Sequence, residues 1–342
     1  VLLIAAPELD KVGFFRNIKR EGTPLRVFMW EHAVDDSIKS QIAERFSLAH
    51  GLDESAREYP WLLDIRIFEF ISQEIFRVKL PGSAFPLYEG KWVEEHSGPI
   101  SCPEDIDKYP WPNINNVDFS QLDWYERNLP ENMGINHTVH HFETVRDLLG
   151  FENLCISLFE QPDFVAQICE RVGDFVESLV RTLSNYRCVD VIYSSDDFGF
   201  KTSLIVDPGS IRNYFLPWYR RFSKIAHDNN KLFFVHSCGQ VQEIMGDLID
   251  DVGMDAKHSF EDVITPVTEA KRLWGNRVAL LGGLDVDFIV RNDEKAIRQR
   301  VRETLDVCLP GGGYCLGMGN WVTSYIPVDN YLAVLDEARR YC

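Results

Sequence analysis

Two residues of this chain, His236 and Cys238, have the types and the spacing to hold a metal ion. The segment LFFVHSCG around them reads as a strand. Side chains alternate along an extended segment, so residues two apart share a face. Cys315 lies in GGYCLGMGN, which reads as the last strand of the chain. An imidazole and two thiolates form a donor set that zinc prefers, with a fourth position left for substrate. Two thiolates neutralise the dication, so a third sulfur can join as a thiolate of lowered pKa. Sulfur held in that form is a nucleophile ready to accept a methyl group. The pair alone is a weak signal, because nine His and eight Cys give about 0.2 chance H-x-C pairs in such a chain. Free Cys is also common in cores simply as a small apolar residue. What strengthens the case is where the pair falls in the pattern of elements.

From about residue 131 the chain alternates strand-like and helix-like segments. The strands read as MGINHTV, VDVIYSSDD, KLFFVHSCG, MDAKHSF, RVALLGGLD and GGYCLGMGN, each with a helical pattern behind it. Repeated strand–helix units point to a parallel sheet. With Leu25–Trp30 counted as a first strand, the units number about eight, which favours a closed (β/α)8 TIM barrel. We expect one α/β barrel domain over 1–342. Residues 1–24 form an N-terminal helical extension, and about 77–116 form a β-hairpin and loop insertion. The hairpin is read from FRVKL, PLYEG and KWVEE around Gly90, and the loop from four prolines in 98–116.

Barrel topology places chemistry at the C-terminal ends of strands. The residues there are Glu31 and His32, His137, Ser194 to Asp197, His236 to Cys238, His258 with Glu261, Asp285, and Cys315 to Asn320. Asp196 and Asp197 are candidates to position substrate or orient a ligand, since carboxylates commonly hold metal-bound His; the alternative is loop capping. Either Glu31 or His32 is expected to face substrate, and His137 could face the barrel mouth. His140 and His141 are adjacent residues opening a helix, so they do not share a face and read as packing or surface residues. Gly311-Gly312-Gly313 lacks the Lys-Ser/Thr of a phosphate loop and enters a strand rather than opening a helix. Gly282, Gly283, Gly317 and Gly319 sit at the functional end, where missing side chains would let a large flat ligand such as a cobamide approach the backbone.

Composition sets outer limits. Hydrophobic residues are 45% and charged residues 26%, values of an ordinary globular chain. The formal net charge of −18 disfavours nucleic acid and anionic membrane surfaces as partners. No apolar run reaches the length of a bilayer span. The opening VLLIAAPEL is short and lacks the basic flank of a secretion signal. Eight scattered Cys do not make a disulfide scaffold, so a cytoplasmic protein with free thiols is expected.

The stretch LFFVHSCGQVQEIMGDLIDDVGMDA, then VALLGGLD, then GGGYCLGMGN with Pro327 and Asn330 beyond it, resembles the uroporphyrinogen decarboxylase superfamily. Its H-x-C…C set is similar to the zinc-dependent, corrinoid-linked methyltransferase branch, such as the methylcobamide:coenzyme M methyltransferases. The resemblance covers roughly 130–342. It implies His236, Cys238 and Cys315 as zinc ligands, with Glu261 as a fourth ligand that a substrate thiol displaces. It further implies a cobamide delivered by a separate corrinoid protein, a small-molecule methyl donor or acceptor, and a barrel of a kind that often forms homodimers. The decarboxylases proper carry an Arg-rich grip for an acidic porphyrinogen near the N-terminus. Here that segment is Phe28-Met29-Trp30-Glu31-His32, without Arg. Two rival readings stay open: a metal-free decarboxylase with Asp196 or Asp197 as proton donor, and a non-catalytic corrinoid- or ligand-binding barrel.

Overall fold

The computed structural model describes residues 3–86 and 98–341. In chain order the elements are α1 (Lys11–Ile18), α2 (Asp36–Arg45), α3 (Tyr59–Ile71), β1 (Ile75–Arg77), α4 (Ser120–Asn128) and β2 (Gly134–Val139). Next come α5 (Phe142–Leu149), α6 (Phe151–Glu160), α7 (Pro162–Ser184), β3 (Val189–Ser195), α8 (Pro208–Ser210), α9 (Leu216–Asp228) and β4 (Leu232–His236). The remainder is β5 (Ala256–His258), α10 (Val267–Trp274), β6 (Ala279–Leu281), α11 (Val286–Arg291), α12 (Glu294–Cys308), β7 (Tyr314–Cys315) and α13 (Val328–Arg340). The protein is α/β and TIM-barrel-like in this alternation, with seven strands among the described residues rather than the eight expected.

The chain divides into two compact units. One comprises Val1–Arg77, Asn128–Ile135 and Asp255–Cys342; the other comprises Val78–Arg127 and Asn136–Met254. In the first, β5, β6 and β7 are consecutive parallel neighbours, with His258 beside Leu281 and Leu281 beside Cys315. The expected strand Leu25–Trp30 is not a full strand. It touches β7 through a single parallel bridge, Met29 to Leu316, and a second isolated bridge joins Val34 to Val322. Pairing never reaches two consecutive residues there, so the apolar run that reads as a strand keeps one point contact, with the second beyond its end at Val34.

In the second unit β3 and β4 run parallel from Val191–Leu232 to Ser195–His236. All five residues of β4 are buried, as expected of a parallel strand covered on both faces. Helix α7 repeats Phe164, Ile168, Val172, Val176 and Leu179 on its buried face, the 3.6-residue period of an amphipathic helix. Between α8 and α9 the helix widens into a π turn over Ile211–Phe215. Pro217 follows at the start of α9; with no N–H to give, it favours a local change of hydrogen-bond register.

Two expectations for 77–116 change. FRVKL does not begin a hairpin, because Ile75–Arg77 forms β1 and Val78 N–H continues to the Asn136 carbonyl at 3.0 Å. The rest of the expected hairpin falls on 87–97, outside the described residues. The proline-rich stretch is not purely a surface loop. Ile100, Ile106 and Tyr109 are buried, and Ile100 N–H donates to Leu148 O at 2.9 Å. Helices α3, α4 and α6 add structure where the sequence pattern shows none clearly.

No helix among the described residues is long and apolar enough to cross a membrane. The seven described cysteines are free thiols.

Candidate metal centre

Strands β3 and β4 end side by side, Ser195 opposite His236, so the residues that follow each strand emerge together. Asp197 comes from the first and Cys238 from the second. His236 Nε2 lies 3.4 Å from Cys238 Sγ and 3.4 Å from Asp197 Oδ1. The three ligand atoms lie within 4.8 Å of one another. Tetrahedral zinc at its usual bond lengths would separate a nitrogen from a sulfur ligand by about 3.6 Å, and from a carboxylate oxygen by about 3.3 Å. The donor set therefore has both the chemistry and the spacing that zinc requires.

Cys238 lies beyond the last residue of β4, so simple strand alternation is not what aims it. The two loops are stapled instead. Cys238 N–H donates to Asp197 Oδ1 at 2.7 Å, Phe198 N–H donates to Ser237 Oγ at 2.9 Å, and Gln240 N–H donates to Phe200 O at 2.6 Å. Gly239 has φ +76°, and a Cβ there would meet Gly199 O at 2.1 Å, so no other residue fits this crossing. The Tyr193 ring presses edge-on against the His236 ring, with centroids 6.5 Å apart.

Burial opposes ionisation of Asp197. The His236 hydrogen bond and charge, with the Cys238 N–H, outweigh it and hold the carboxyl below its ordinary range. His236 is buried, whereas Cys238 and Asp197 are partly exposed. Ligand atoms thus face a place that solutes can reach.

Asp196 plays another part. It is fully buried and accepts from His141 N–H, Glu143 N–H, Ser194 Oγ and the Tyr219 hydroxyl. This carboxylate closes the N-terminal turn of α5, whose first amide groups have no partner within the helix. His140, Glu143 and Asp196 also bring ligand atoms within 4.8 Å. Arg146 pairs with Glu143 at 3.3 Å, however, and a cation there works against a metal. His137 is buried and donates from Nδ1 to Val78 O at 2.9 Å.

In the other unit the expected residues have different surroundings. Cys315 is fully buried and its thiol receives the Asn17 side-chain amide at 3.5 Å. Burial pushes that thiol well above its ordinary pKa. Among the described residues, no group of three potential ligands within its own unit includes Cys315 or Glu261. Glu31 is buried, accepting from Met318 N–H at 3.0 Å, and its backbone is clamped by Gln73. Burial pushes Glu31 up to about 8, against the Met318 N–H and the Tyr331 hydroxyl. His32 stacks on His258 at 5.7 Å, and His258 Nε2 donates to Met318 O at 3.2 Å. Asp285 caps α11 by accepting from Phe288 N–H.

The glycines expected to admit a flat ligand are accounted for by the chain itself. A Cβ on Gly282 would meet Met318 O at 2.2 Å, on Gly283 the Val267 side chain at 2.4 Å, on Gly317 Trp30 O at 1.9 Å, and on Gly319 Phe260 O at 2.1 Å. The space that a side chain would fill is occupied by neighbouring protein atoms, which corrects the reading of these four as open cofactor room. Of the contributing residues, Ser237 is not singled out by the sequence, and Asp197 is singled out for a different role. Ser237 reads there only as the spacer of H-x-C, and Asp197 reads as an orienting group rather than a ligand.

Comparison with known proteins concerns the fold and the family. A methyltransferase from Methanosarcina mazei shares the fold with a TM-score of 0.74 and 16% identity, over 98% of this chain and 99% of that one. A putative vitamin-B12 independent methionine synthase from Listeria monocytogenes gives a TM-score of 0.50 and 12% identity, over 93% and 96%. At such identities the likeness concerns the fold alone. No curated protein matches the sequence. The uroporphyrinogen decarboxylase (URO-D) family model matches residues 142–341, which is more than half of the chain and contains Asp197, His236 and Cys238. The chain belongs to the uroporphyrinogen decarboxylase family.

Proposed function

We propose that this protein is a metal-dependent methyltransferase, moving a methyl group between a cobamide on a separate corrinoid protein and a small-molecule substrate, best a thiol. The observation that carries the reading is the convergence of Asp197 Oδ1, His236 Nε2 and Cys238 Sγ at zinc-ligand spacing. One carboxylate and one thiolate neutralise the dication as two thiolates would, and a fourth position is left for substrate. A zinc ion bound there would supply Lewis acidity that lowers the pKa of a substrate thiol. The chain's own residues do the rest. His236 presents Nε2 from the rigid end of β4, Asp197 stays ionised, and the Ser237 and Gln240 staples fix the loop that carries Cys238. The fold shared with an archaeal methyltransferase supports the same reading.

Decarboxylation by Asp196 is the poorer account, because that carboxylate is sealed away and used by four donors. The test is metal content of the protein purified without chelator, followed by methyl transfer from methylcobalamin to a panel of thiols. About one zinc per chain and zinc-dependent thiol methylation are the expected results. A folded protein that takes up no zinc would overturn the proposal.

A further inference from the structure

An apolar ridge stands exposed beside the metal centre, within the same unit. Helix α6 buries Leu154, Ser157 and Leu158 and turns Ile156 and Phe159 outward, 47% and 80% exposed. Residues four apart line up along a helix, so Phe151, Cys155 and Phe159 form one row, with Ile156 beside it. Phe151 and Cys155 are half-buried. At the start of the row the Phe151 ring meets the Phe200 ring edge-on, with centroids 6.2 Å apart, and Phe200 is 54% exposed. The Phe200 carbonyl accepts from Gln240 N–H, two residues beyond Cys238. The ridge thus begins at a staple of the loop that carries Cys238 and extends about 12 Å along α6, at 1.5 Å per residue.

Single exposed apolar side chains are ordinary, whereas contiguous ones mark an interaction surface. Two features bear on its occupant. The first is charge. Glu152 and Glu160 on the same helix are exposed, which suits a partner with basic residues around an apolar face. A second copy of this chain fits poorly, because an antiparallel two-fold contact centred on Ile156 would set Glu152 of one copy against Glu160 of the other. The second feature is location. A methyl donor carried on a protein must bring its cobalt to a substrate held at Asp197, His236 and Cys238, so that protein has to rest on surface adjoining the centre.

We propose that the ridge of Phe200, Phe151, Ile156 and Phe159 is the docking surface for the corrinoid protein, whose matching face is apolar and rimmed by Lys or Arg. The proposal rests on the methyl-transfer reading above. The test compares two methyl donors with the zinc-loaded full chain: free methylcobalamin, and a corrinoid protein carrying methylcobalamin. Phe159→Glu and Ile156→Glu alter exposed side chains and should leave zinc content and transfer from free methylcobalamin unchanged. Transfer from the corrinoid protein should fall at least about tenfold in kcat/KM, as expected when an apolar anchor is lost from an interface. Val12→Glu, at an exposed apolar position of the first unit, should affect neither donor. Loss with both donors, or with neither, overturns the docking surface, as does dissociation of a dimer by Phe159→Glu. A parent protein that uses free methylcobalamin but not the corrinoid protein also overturns it and leaves the methyl-transfer reading standing. A zinc-bound parent that uses neither donor overturns that reading itself.

Discussion

The same residue types meet different fates in the two units. In Val78–Arg127 with Asn136–Met254, a buried His lies 3.4 Å from the side-chain atoms of a partly exposed Cys and of a partly exposed Asp. In the other unit Glu31, His258 and Cys315 are fully or almost fully buried, and each has a local partner: Met318 N–H, Met318 O and the Asn17 amide. A potential ligand becomes a candidate site only where neighbouring strand ends bring it within reach of other donors at a position that solutes can enter. Barrel position alone does not separate the two cases, because every one of these residues lies at or near a strand end.

The largest expected effect is at the centre itself. Cys238→Ser or His236→Ala should lower zinc content from about one per chain to a small fraction, measured by mass spectrometry, since loss of a direct ligand exceeds the roughly 10–100-fold cost of losing an orienting partner. The circular dichroism spectrum should be unchanged. Asp197→Asn and Cys315→Ser then test the comparison directly. Asp197→Asn should weaken zinc by about 100-fold or more if the carboxylate is a ligand, and by less if it only orients. Cys315→Ser should keep full zinc content; loss of metal there would mean that the buried thiol is a ligand after all and would restore the Cys2His set.

A pH experiment probes the buried side. Glu31 titrates near 8 in the fold, well above an ordinary carboxylate. Between about pH 4.5 and 8 the unfolded chain loses this proton while the folded chain keeps it, so stability falls as pH rises through that window. Glu31→Gln removes this term. Its melting temperature should approach or pass that of the parent as pH rises, with a relative gain of at most a few kcal/mol by pH 8. A difference between the two proteins that is flat with pH would show Glu31 ionised in the fold. The smallest effect expected is Ser237→Ala, which strands the Phe198 N–H at a cost of about 1 kcal/mol and loosens the Cys238 loop. Zinc should dissociate faster while its stoichiometry holds.

Much of this was legible in the sequence. The alternation of strands and helices after residue 131 is a local property, written in runs such as LFFVH and in the periodic apolar face of α7. His236 and Cys238 are close in sequence, so their convergence required little beyond the end of one strand. The Leu25–Trp30 run reads as a buried strand; it is buried only from Val27 to Trp30, Leu25 is exposed, and it does not form a full strand because pairing length depends on the facing segment, here Leu316 and its neighbours. The paired glycines looked like room for a ligand; only the positions of Met318, Val267, Trp30 and Phe260 reveal that the chain fills that room.

The sequence by itself determined the class of fold, the family and two donors of the candidate centre, since periodicity and short-range spacing survive without knowledge of distant contacts. Tertiary structure decided which third group faces those donors and which carboxylate of the Asp196-Asp197 pair is sealed into a helix start. Those outcomes depend on side-chain direction, solvent access and pairing across long stretches of chain. None of the three is a function of local sequence.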